Sequence, residues 1–452
     1  MAKHIYHYNM HAEQRFFLGR EHRDNYDLIA LNGNIVSHTP SGVAAFLATA
    51  GKDFFIDPQT HAFQHATIHL KTPEIDEEGS KLDTLRFKPS IKKLAERLGN
   101  PFSDVIANDK PLSPNRFFSD NGRINDVIIN EICEKVITFE TRTMIDSLDE
   151  EDREFIGSAN HFQPEFIVAP YFYLSPPNFN NWLNITIACY KRTKEISKDL
   201  PTYMNIVIAR ESVYDVDKII EPLRKLDIAG ITFWIDDFLE EELDFQHVAA
   251  YKVFINSLKN IAGVVYNLHG GYLSTLLCHE AISNHLDGVG HSINYGENRA
   301  VIPIGGGIPM ARFYFPSIHS RLRHGDAVGI IQAKNWVVSP EIYCANVCKC
   351  VQCTELMSRL GSAVEVLSFY GESNPVTFTR RTGSIVKLEY PTKEAKQASA
   401  RHYLYNKAKE FNEVKTLSFD ILRKQLSDTY SELKDDADYG LIAHLDTWMK
   451  SL

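Results

Sequence analysis

A cluster of cysteines late in the chain most constrains what this sequence can fold into. Four of the seven cysteines, Cys344, Cys348, Cys350 and Cys353, fall within ten residues. The N-terminus has no apolar core of the signal-peptide type, so the crowding indicates metal binding rather than disulfides. The Cys-x-Cys-x2-Cys spacing of the last three brings together soft ligands of the kind that zinc binds in a tetrahedron of four.

The fourth ligand is predicted to be His402, which opens the helical pattern RHYLYNKAKEFNEV. Cys344 is the alternative, although it directly precedes an already tight group of ligands. A site of three cysteines and one histidine has no open coordination position, so we expect a structural Zn²⁺ that supports folding. The scattered residues Cys133, Cys189 and Cys278 lie in apolar stretches and are expected to be buried thiols.

Charge and hydropathy exclude some classes of protein. The net charge of −10 rules out a uniformly basic coat for nucleic acid. Basic residues concentrate in 380–424, where eleven Lys/Arg face five Asp/Glu, which indicates either a solvated helical face or a grip on phosphates. No apolar run reaches the roughly 18 residues of a membrane span, so we expect a cytoplasmic protein with no membrane partner.

Apolar strand-like segments alternate with helical ones from residue 165 onward, among them EFIVAPYFYL, YMNIVIARE, AGITFWIDDF, AGVVYNLHGGY and LDGVGHSINYGE. This rhythm is typical of a parallel sheet buried on both faces. With the earlier strand KDFFIDP it favours a TIM-type (β/α)8 barrel over a doubly wound sheet. We expect a late zinc-binding subdomain and C-terminal helices to follow the barrel.

The predicted organisation has three parts. Residues 1–40 form an N-terminal segment that leads into the core, and residues 41–340 form the barrel, with a helical excursion at about 66–160. Residues 341–452 form the zinc-binding and basic helical region.

Polar residues gather where the predicted strands end: Asp57, the pair Asp236 and Asp237, and the runs 269–271 and 291–297. The carboxyl ends of parallel strands carry the active site in barrels and in doubly wound sheets alike. The expected place of the chemistry is therefore the same in both folds.

Two stretches carry a resemblance to a known family. VAAFLATAGKDFFIDPQTHAFQ runs through a helix and a short strand to Asp57 and then Phe63-Gln64, and QAKNWVVSPEIYCANVCKCVQC leads into the cysteines. Over residues 41–415 the chain resembles the tRNA-guanine transglycosylases, which place a zinc subdomain late in a TIM barrel and carry Asp-Ser-Gly-Gly-Phe-Gln after an early strand.

The loop after Asp57 is two residues longer than in that family, and the gap from Cys353 to His402 is longer as well. These departures point to a divergent branch of the superfamily, and the branch that the chain resembles is the DNA transglycosylases of the DpdA type. The resemblance implies exchange of guanine in DNA for a free 7-deazaguanine base such as preQ0. The implied partners are DNA, that free base and an ATP-driven protein that opens the duplex.

Base exchange with retention requires two carboxylates at one anomeric carbon, one as nucleophile and one as acid/base. The matched loop makes Asp57 the candidate acid/base. The nucleophile is left open among Asp236, Asp237 and Asp287, because the family's late-strand aspartate has no clean counterpart here.

Four residues are candidates for substrate binding. Gly270 and Gly271 would let a flat base approach the backbone, Phe63 would stack on the base, and His291 lies on the last strand-like segment.

Three other functions remain open at this point. The same chemistry could act on tRNA. A zinc-stabilised nucleic-acid-binding protein without catalysis fits the missing nucleophile. A metal-dependent barrel hydrolase would use His269, His279, His285 and His291, although these histidines lack the i, i+4 pairing with a carboxylate that is usual in zinc hydrolases.

Overall fold

A computed structural model of the chain describes residues 2–8, 20–75, 81–157, 162–292, 297–302, 310–379, 385–435 and 437–452. The strands in these ranges are β1 (Lys3–His7), β2 (Leu28–Asn32), β3 (Asp53–Asp57), β4 (Lys71–Ile75), β5 (Lys81–Phe87), β6 (Ile167–Val168), β7 (Tyr173–Leu174), β8 (Thr202–Ile208), β9 (Ile228–Ile235), β10 (Ala262–Asn267), β11 (Gly288–His291), β12 (Arg312–Phe315), β13 (Ser320–Arg323), β14 (Ser373–Thr379) and β15 (Ile385–Pro391).

The α-helices in the same ranges are α1 (Gly33–His38), α2 (Pro40–Ala50), α3 (Pro89–Leu98), α4 (Phe102–Asn108), α5 (Asp126–Asp146), α6 (Glu150–Gly157), α7 (Phe179–Ile196), α8 (Val216–Leu223), α9 (Phe245–Lys259), α10 (Tyr272–Leu276), α11 (His324–Ala333), α12 (Pro340–Asn346), α13 (Val351–Leu360), α14 (Ala363–Tyr370), α15 (Lys393–Thr416), α16 (Phe419–Leu433) and α17 (Tyr439–Ser451).

The centre of the molecule is a curled parallel sheet. Its strands run in the order β3-β2-β1-β11-β10-β9-β8-β6, and β7 pairs with the far end of β8. Strands such as β2 and β8 are buried along their whole length, as expected when helices cover one face and the strands curl around the other. The α/β class and the parallel sheet predicted from the sequence are confirmed.

The two faces of the sheet bury different sets of residues. Along β9, Ile231, Phe233 and Ile235 pack in the larger core beneath the helices, whereas Trp234 faces a smaller inner cluster. The inner cluster takes side chains from seven strands or their ends: Ile5, Leu28, Ala30, Phe55, Phe166, Val168, Tyr171, Tyr203, Val207, Trp234, Tyr266, Leu268 and Val301. A set of inward side chains drawn from so many strands means that the sheet bends around them.

The ends of the sheet approach each other between β3 and β6. The Glu165 N–H donates to the Phe54 carbonyl at 2.7 Å, and Phe55 stacks on Phe166 with ring centroids 4.7 Å apart. Further along, the Val168 N–H donates instead to the buried Glu140 carboxylate of α5 at 3.0 Å. A helix side chain thus satisfies a backbone donor at this edge of the sheet.

Pro170 separates β6 from β7. A proline has no N–H to give to the ladder, so β8 pairs with β6 at Thr202 and Tyr203 and with β7 at Val207 and Ile208. In the gap, Tyr171 exchanges hydrogen bonds with the Thr60 hydroxyl. This break directs two tyrosines toward the carboxyl edge of the sheet.

Two of the predicted boundaries need correction. Residues 1–40 do not merely lead into the core, because β1 and β2 lie in the middle of the sheet. The zinc-binding region begins before residue 341, since the β12–β13 hairpin packs on α15 and Phe313 stacks on His402. The predicted excursion at 66–160 lies between β3 and β6 and holds α3 to α6 beside the antiparallel β4–β5 hairpin.

None of the helices in the described part of the chain has the combination of length and apolar character that crossing a bilayer requires.

Candidate functional site

Cys348, Cys350, Cys353 and His402 converge as the sequence predicted. Their three Sγ atoms and the histidine ring nitrogen all lie within 4.8 Å of one another. The His402 Nδ1 atom is 3.4 Å from Cys350 Sγ and 3.3 Å from Cys353 Sγ. Tetrahedral zinc, with bonds of about 2.3 Å to sulfur and about 2.0 Å to nitrogen, separates such atoms by roughly 3.5 Å, so the donor set fits zinc.

Local structure explains how the cysteines meet. Cys350 is the N-cap of α13, and its Sγ accepts the Cys353 N–H, while the Cys350 N–H points to Cys348 Sγ. Backbone N–H groups directed at sulfur favour the thiolate form that binds metal. Cys344, the alternative ligand, lies one turn earlier on α12 and is not part of the group.

His402 is fully buried and held in one tautomer. Its Nε2–H donates to the Tyr314 carbonyl at 2.6 Å, which leaves the Nδ1 lone pair facing the sulfurs. Phe313 stacks on the ring with centroids 4.5 Å apart. A second hydrogen bond that orients a ligating imidazole is typical of protein zinc sites.

The surroundings of the cysteines leave little room for substrate. The Tyr370 hydroxyl lies 3.3 Å from Cys353 Sγ, and the Asn406 amide lies 3.4 Å from Cys348 Sγ. Hydrogen bonds from the neighbouring cysteines hold the pKa of the Cys348 thiol well below its usual range. Four protein ligands in a buried setting point to a structural centre.

A second constellation lies at the carboxyl edge of the curled sheet, around Asp57. This residue follows inward-facing Phe55 by two positions on β3, so its side chain also faces inward. Its Oδ1 accepts the Tyr171 hydroxyl at 2.6 Å and the Gln59 N–H at 3.0 Å. Burial raises the pKa of the Asp57 carboxyl, although Arg299, with Nη1 4.0 Å from Oδ2, opposes the shift.

Asp236 is the second inward carboxylate. It follows Trp234 by two positions at the end of β9. Its Oδ2 accepts the Tyr173 hydroxyl at 2.8 Å, and its Oδ1 accepts the Val301 N–H at 2.7 Å. Asp236 is only partly buried and therefore stays open to a ligand.

One short segment of the chain donates a hydrogen bond to each of the two carboxylates. Tyr171 and Tyr173 are two residues apart, one on each side of Phe172, and each donates to one of the two aspartates. Phe172 packs on the other side, stacked on Trp182. The Tyr-Phe-Tyr segment thereby gives two matched acid–tyrosine pairs.

Arg299 and three aromatic rings complete the constellation. The Arg299 guanidinium lies 5.0 Å from the centroid of the Trp234 ring. His61 stacks on Tyr171 at 5.1 Å and meets Trp234 edge-on at 5.4 Å. Burial, followed by the charge of Arg299, lowers the pKa of His61 well below its usual value. The neutral imidazole, the cation and the rings are all buried and pack against one another behind the two aspartates.

The other predicted nucleophiles lie apart from this group. Asp237 is exposed, has a positive φ of 46° and accepts the Asn298 side-chain amide at 2.9 Å. Asp287 precedes β11 and so lies at the amino edge of the sheet, where it pairs with Lys259 at 2.6 Å. Only Asp236 shares an edge and a facing direction with Asp57.

The predicted substrate-binding residues have other neighbours. Phe63 is fully buried in the larger core, packed on Phe102 with centroids 5.2 Å apart. A Cβ atom at Gly271 would lie 2.8 Å from Glu240 Oε2 and 3.2 Å from Glu297 Oε2. The absence of a side chain at this glycine therefore leaves room for the two carboxylates. Gly270 is as crowded, since a Cβ there would lie 2.6 Å from Ser274.

The predicted histidines do not form a metal site. His291 hydrogen-bonds His4 at 3.0 Å, whereas His269 stacks on His7 at 4.4 Å. His279 contacts the Leu417 carbonyl at 2.9 Å. Within the described ranges, the three cysteines and His402 are the one group of His, Cys, Asp and Glu placed to hold a metal. The geometry gives the hydrolase hypothesis no support.

Buried charges connect the two sites. Lys407 of α15 lies between Glu297, with which it forms an ion pair, and Glu410, whose Oε2 is 3.0 Å away. Burial opposes ionisation, but Lys407 and His319 outweigh it and lower the pKa of Glu410 to about 2. Because α15 also carries His402, one helix joins the metal centre to the segment that presents Arg299.

Sequence reasoning missed Tyr171, Tyr173, Trp234 and Arg299. In APYFYL the tyrosines alternate with Phe172, and Trp234 lies two residues before Asp236. This period of two is the pattern of a strand, and it could have predicted that these side chains face the same way as the aspartates. Arg299 lies in an irregular segment and had no such signal.

Comparison with protein-family models, curated proteins and solved structures gave no match to this chain, so its family is not established by similarity.

Proposed function

We propose that this protein is a transglycosylase that exchanges guanine in DNA for a 7-deazaguanine base such as preQ0. One observation carries the proposal: Asp57 and Asp236 face the same side at the carboxyl edge of the sheet, each bonded to a tyrosine hydroxyl. Two carboxylates facing one anomeric carbon are what a retaining double displacement requires.

A closed TIM-type (β/α)8 barrel is the fold that this function would use. Support comes from the approach of β3 to β6 and from the inner cluster shared by seven strands. In such a barrel the carboxyl edge is the active face, which is where both aspartates lie.

Asp236 acts as the nucleophile in the first displacement. A carboxylate oxygen of Asp236 attacks C1′ of the target nucleotide, the C1′–N9 bond breaks, and the bonding electron pair leaves with guanine. Asp57 gives its proton to the departing base. Its burial supports this role, because a carboxyl whose pKa is raised keeps its proton closer to neutral pH.

The second displacement reverses these roles. Asp57, now ionised, accepts the proton of the incoming 7-deazaguanine at the position that attacks C1′. The C1′–oxygen bond to Asp236 breaks, and the electron pair returns to the carboxylate. Tyr171 and Tyr173 hold each carboxylate in position through both steps, and His61 packs on Tyr171 and supports it.

The zinc supplies structure rather than chemistry in this proposal. Cys348, Cys350, Cys353 and His402 would hold it with no open position. An ATP-driven partner that opens the duplex is part of the proposal, because extruding a paired base costs a few kcal/mol.

Incorporation of labelled preQ0 tests the proposed function. Duplex DNA, single-stranded DNA and tRNA are offered in parallel to the wild type and to Asp57→Asn, Asp236→Asn and Asp237→Asn. We expect label in DNA, a loss of at least about 10³-fold in the first two variants, and activity near wild type in Asp237→Asn.

Rapid quenching of the wild type with DNA and no free incoming base should trap DNA bound covalently to Asp236, detected as a mass shift on its peptide that is absent in Asp236→Asn. Label in tRNA alone would make tRNA the substrate and leave the proposed mechanism unchanged. An unchanged rate in Asp236→Asn would refute the mechanism, and retained nucleic-acid binding with no exchange on any substrate would favour a non-catalytic binding protein.

A further inference from the structure

Three arginines share one face of the β12–β13 hairpin. Arg312 lies directly opposite Arg323, and Arg321 lies opposite Tyr314. Partners in an antiparallel pair, and residues two apart, point to the same side. The other side carries Phe313 and Leu322, which are buried in the core, so the arginine face is the outer one.

Helix α15 covers only part of this outer face. Tyr314 is buried beneath it, and the Arg321 guanidinium lies 5.0 Å from the centroid of the Tyr403 ring. Beyond the helix, Arg312 and Arg323 are exposed. The Ser399 hydroxyl of α15 donates to the Arg312 carbonyl at 2.7 Å and fixes the hairpin there.

Like charges placed opposite each other across a hairpin destabilise it. Partial burial, followed by the charges of Arg321 and Arg323, lowers the pKa of Arg312, and the carboxylate of Glu241 partly offsets this. The Arg312 guanidinium nevertheless remains charged beside the other two arginines. An anion bound across the face would relieve the repulsion.

The arginine face adjoins the candidate active site. Arg321 acts electrostatically on Glu297, and Glu297 precedes Arg299, the contact of Asp57, by two residues. The arginine face therefore neighbours the segment that presents Arg299, with the Glu297 carboxylate as their shared neighbour.

We propose that Arg312, Arg321 and Arg323 bind the phosphodiester backbone of the nucleic-acid strand whose base enters the Asp57–Asp236 site. This inference rests on the proposed function. The planar forks of arginine match phosphate oxygens in pairs, and contacts of this kind position a strand without reading its sequence.

The test uses full-length protein and labelled oligothymidylate, which contains no guanine and so reports binding without exchange. Fluorescence anisotropy is measured across a series of salt concentrations for the wild type and Arg312→Gln/Arg323→Gln. We expect about ten-fold weaker binding and a salt slope smaller by roughly 1.4, because each phosphate contact on a single strand contributes about 0.7.

The matched control is Arg97→Gln/Arg224→Gln, which removes two exposed arginines from α3 and α8 and should bind like the wild type. Arg312→Lys/Arg323→Lys should restore the salt slope but only part of the affinity, since it keeps the charge and loses the fork. Oligouridylate should show the same losses, because the contact is to phosphate.

Wild-type affinity and slope in Arg312→Gln/Arg323→Gln, with thermal melting unchanged, would overturn the proposed site, as would an equal loss in the control pair. If the arginine-dependent binding is present and no base exchange occurs, the binding site stands and the proposed catalytic function fails.

Discussion

Asp57 combines a buried charge with a small number of hydrogen bonds. Tyr171 and Gln59 donate to it and Arg299 stands at 4.0 Å, yet burial still raises its pKa. Such a residue opposes folding, and a stability cost of this kind is common at active sites. Asp236, at the same edge, is less buried and accepts two hydrogen bonds, so the two acids differ through their surroundings.

We expect Asp57→Asn to gain stability relative to the wild type as the pH rises. The pKa of Asp57 is raised in the folded state above its unfolded value of about 3.9. The unfolded chain therefore releases this proton first, and the wild type loses stability from about pH 4 up to the raised pKa. Urea unfolding should show a difference in stability between variant and wild type that shifts in favour of the variant from pH 4 to pH 8.

Asp53→Asn, at the exposed start of β3, is the control for this effect because its carboxylate remains in water in both states. An advantage of Asp57→Asn that shrinks toward pH 8 would contradict the burial argument.

At the scale of elements, α15 carries residues that belong to two sites. His402 faces the cysteines, and one and a half turns later Lys407 pairs with Glu297 and Glu410. Both residues lie near the middle of α15, so a metal held at His402 would also support the buried ion network at Lys407. Breaking such a network leaves unpaired charge in the core, and we therefore expect loss of the metal to disturb the carboxylates.

We expect His402→Ala to lose its bound metal and several kcal/mol of stability, because the site closes only in the folded chain. Cys344→Ser should keep about one zinc per chain, since Cys344 lies outside the ligand group. Metal analysis and thermal melting of purified protein check both variants. Loss of zinc from Cys344→Ser with retention in His402→Ala would reverse the assignment of the fourth ligand.

At the scale of the whole molecule, the two edges of the sheet carry different sets of charged residues. The carboxyl edge gathers Asp57, Asp236 and Arg299, while the amino edge holds ion pairs such as Lys259 with Asp287 and Lys3 with Glu165. In parallel barrels the first edge carries chemistry and the second carries stability.

We expect Asp287→Ala to lower the free energy of unfolding by about 1 kcal/mol and to leave nucleic-acid binding and base exchange unchanged. The carboxylate accepts the Val265 N–H at 2.7 Å and pairs with Lys259, and both groups lose a partner. Urea unfolding and the exchange assay are run on the same preparation. Loss of exchange without loss of stability would return Asp287 to the list of nucleophiles.

Much of this arrangement could be predicted from local patterns, and the remainder depended on which segments become neighbours. The cysteines and the strands that end in Asp57 and Asp236 carry their signal within a few residues. β1 and β2 were missed because their His- and Tyr-rich surroundings hide the apolar period. The edge at which Asp287 lies could not be predicted, because an acid beside a short strand can lie at either edge, and only the start of β11 at Gly288 decides which.

Tyr171 and Tyr173 alternate with Phe172 after Pro170. The proposed site therefore depends on the length of this segment as well as on the residues in it. A slip of one residue along β8 would turn both hydroxyls away from their aspartates at once and direct Phe172 between them. The site would thus be lost in a single step, not one carboxylate at a time. Insertions or deletions between Val168 and Tyr173 should therefore be far less tolerated than changes of length in the exposed turn at 121–123, and a library of length variants would reveal this asymmetry.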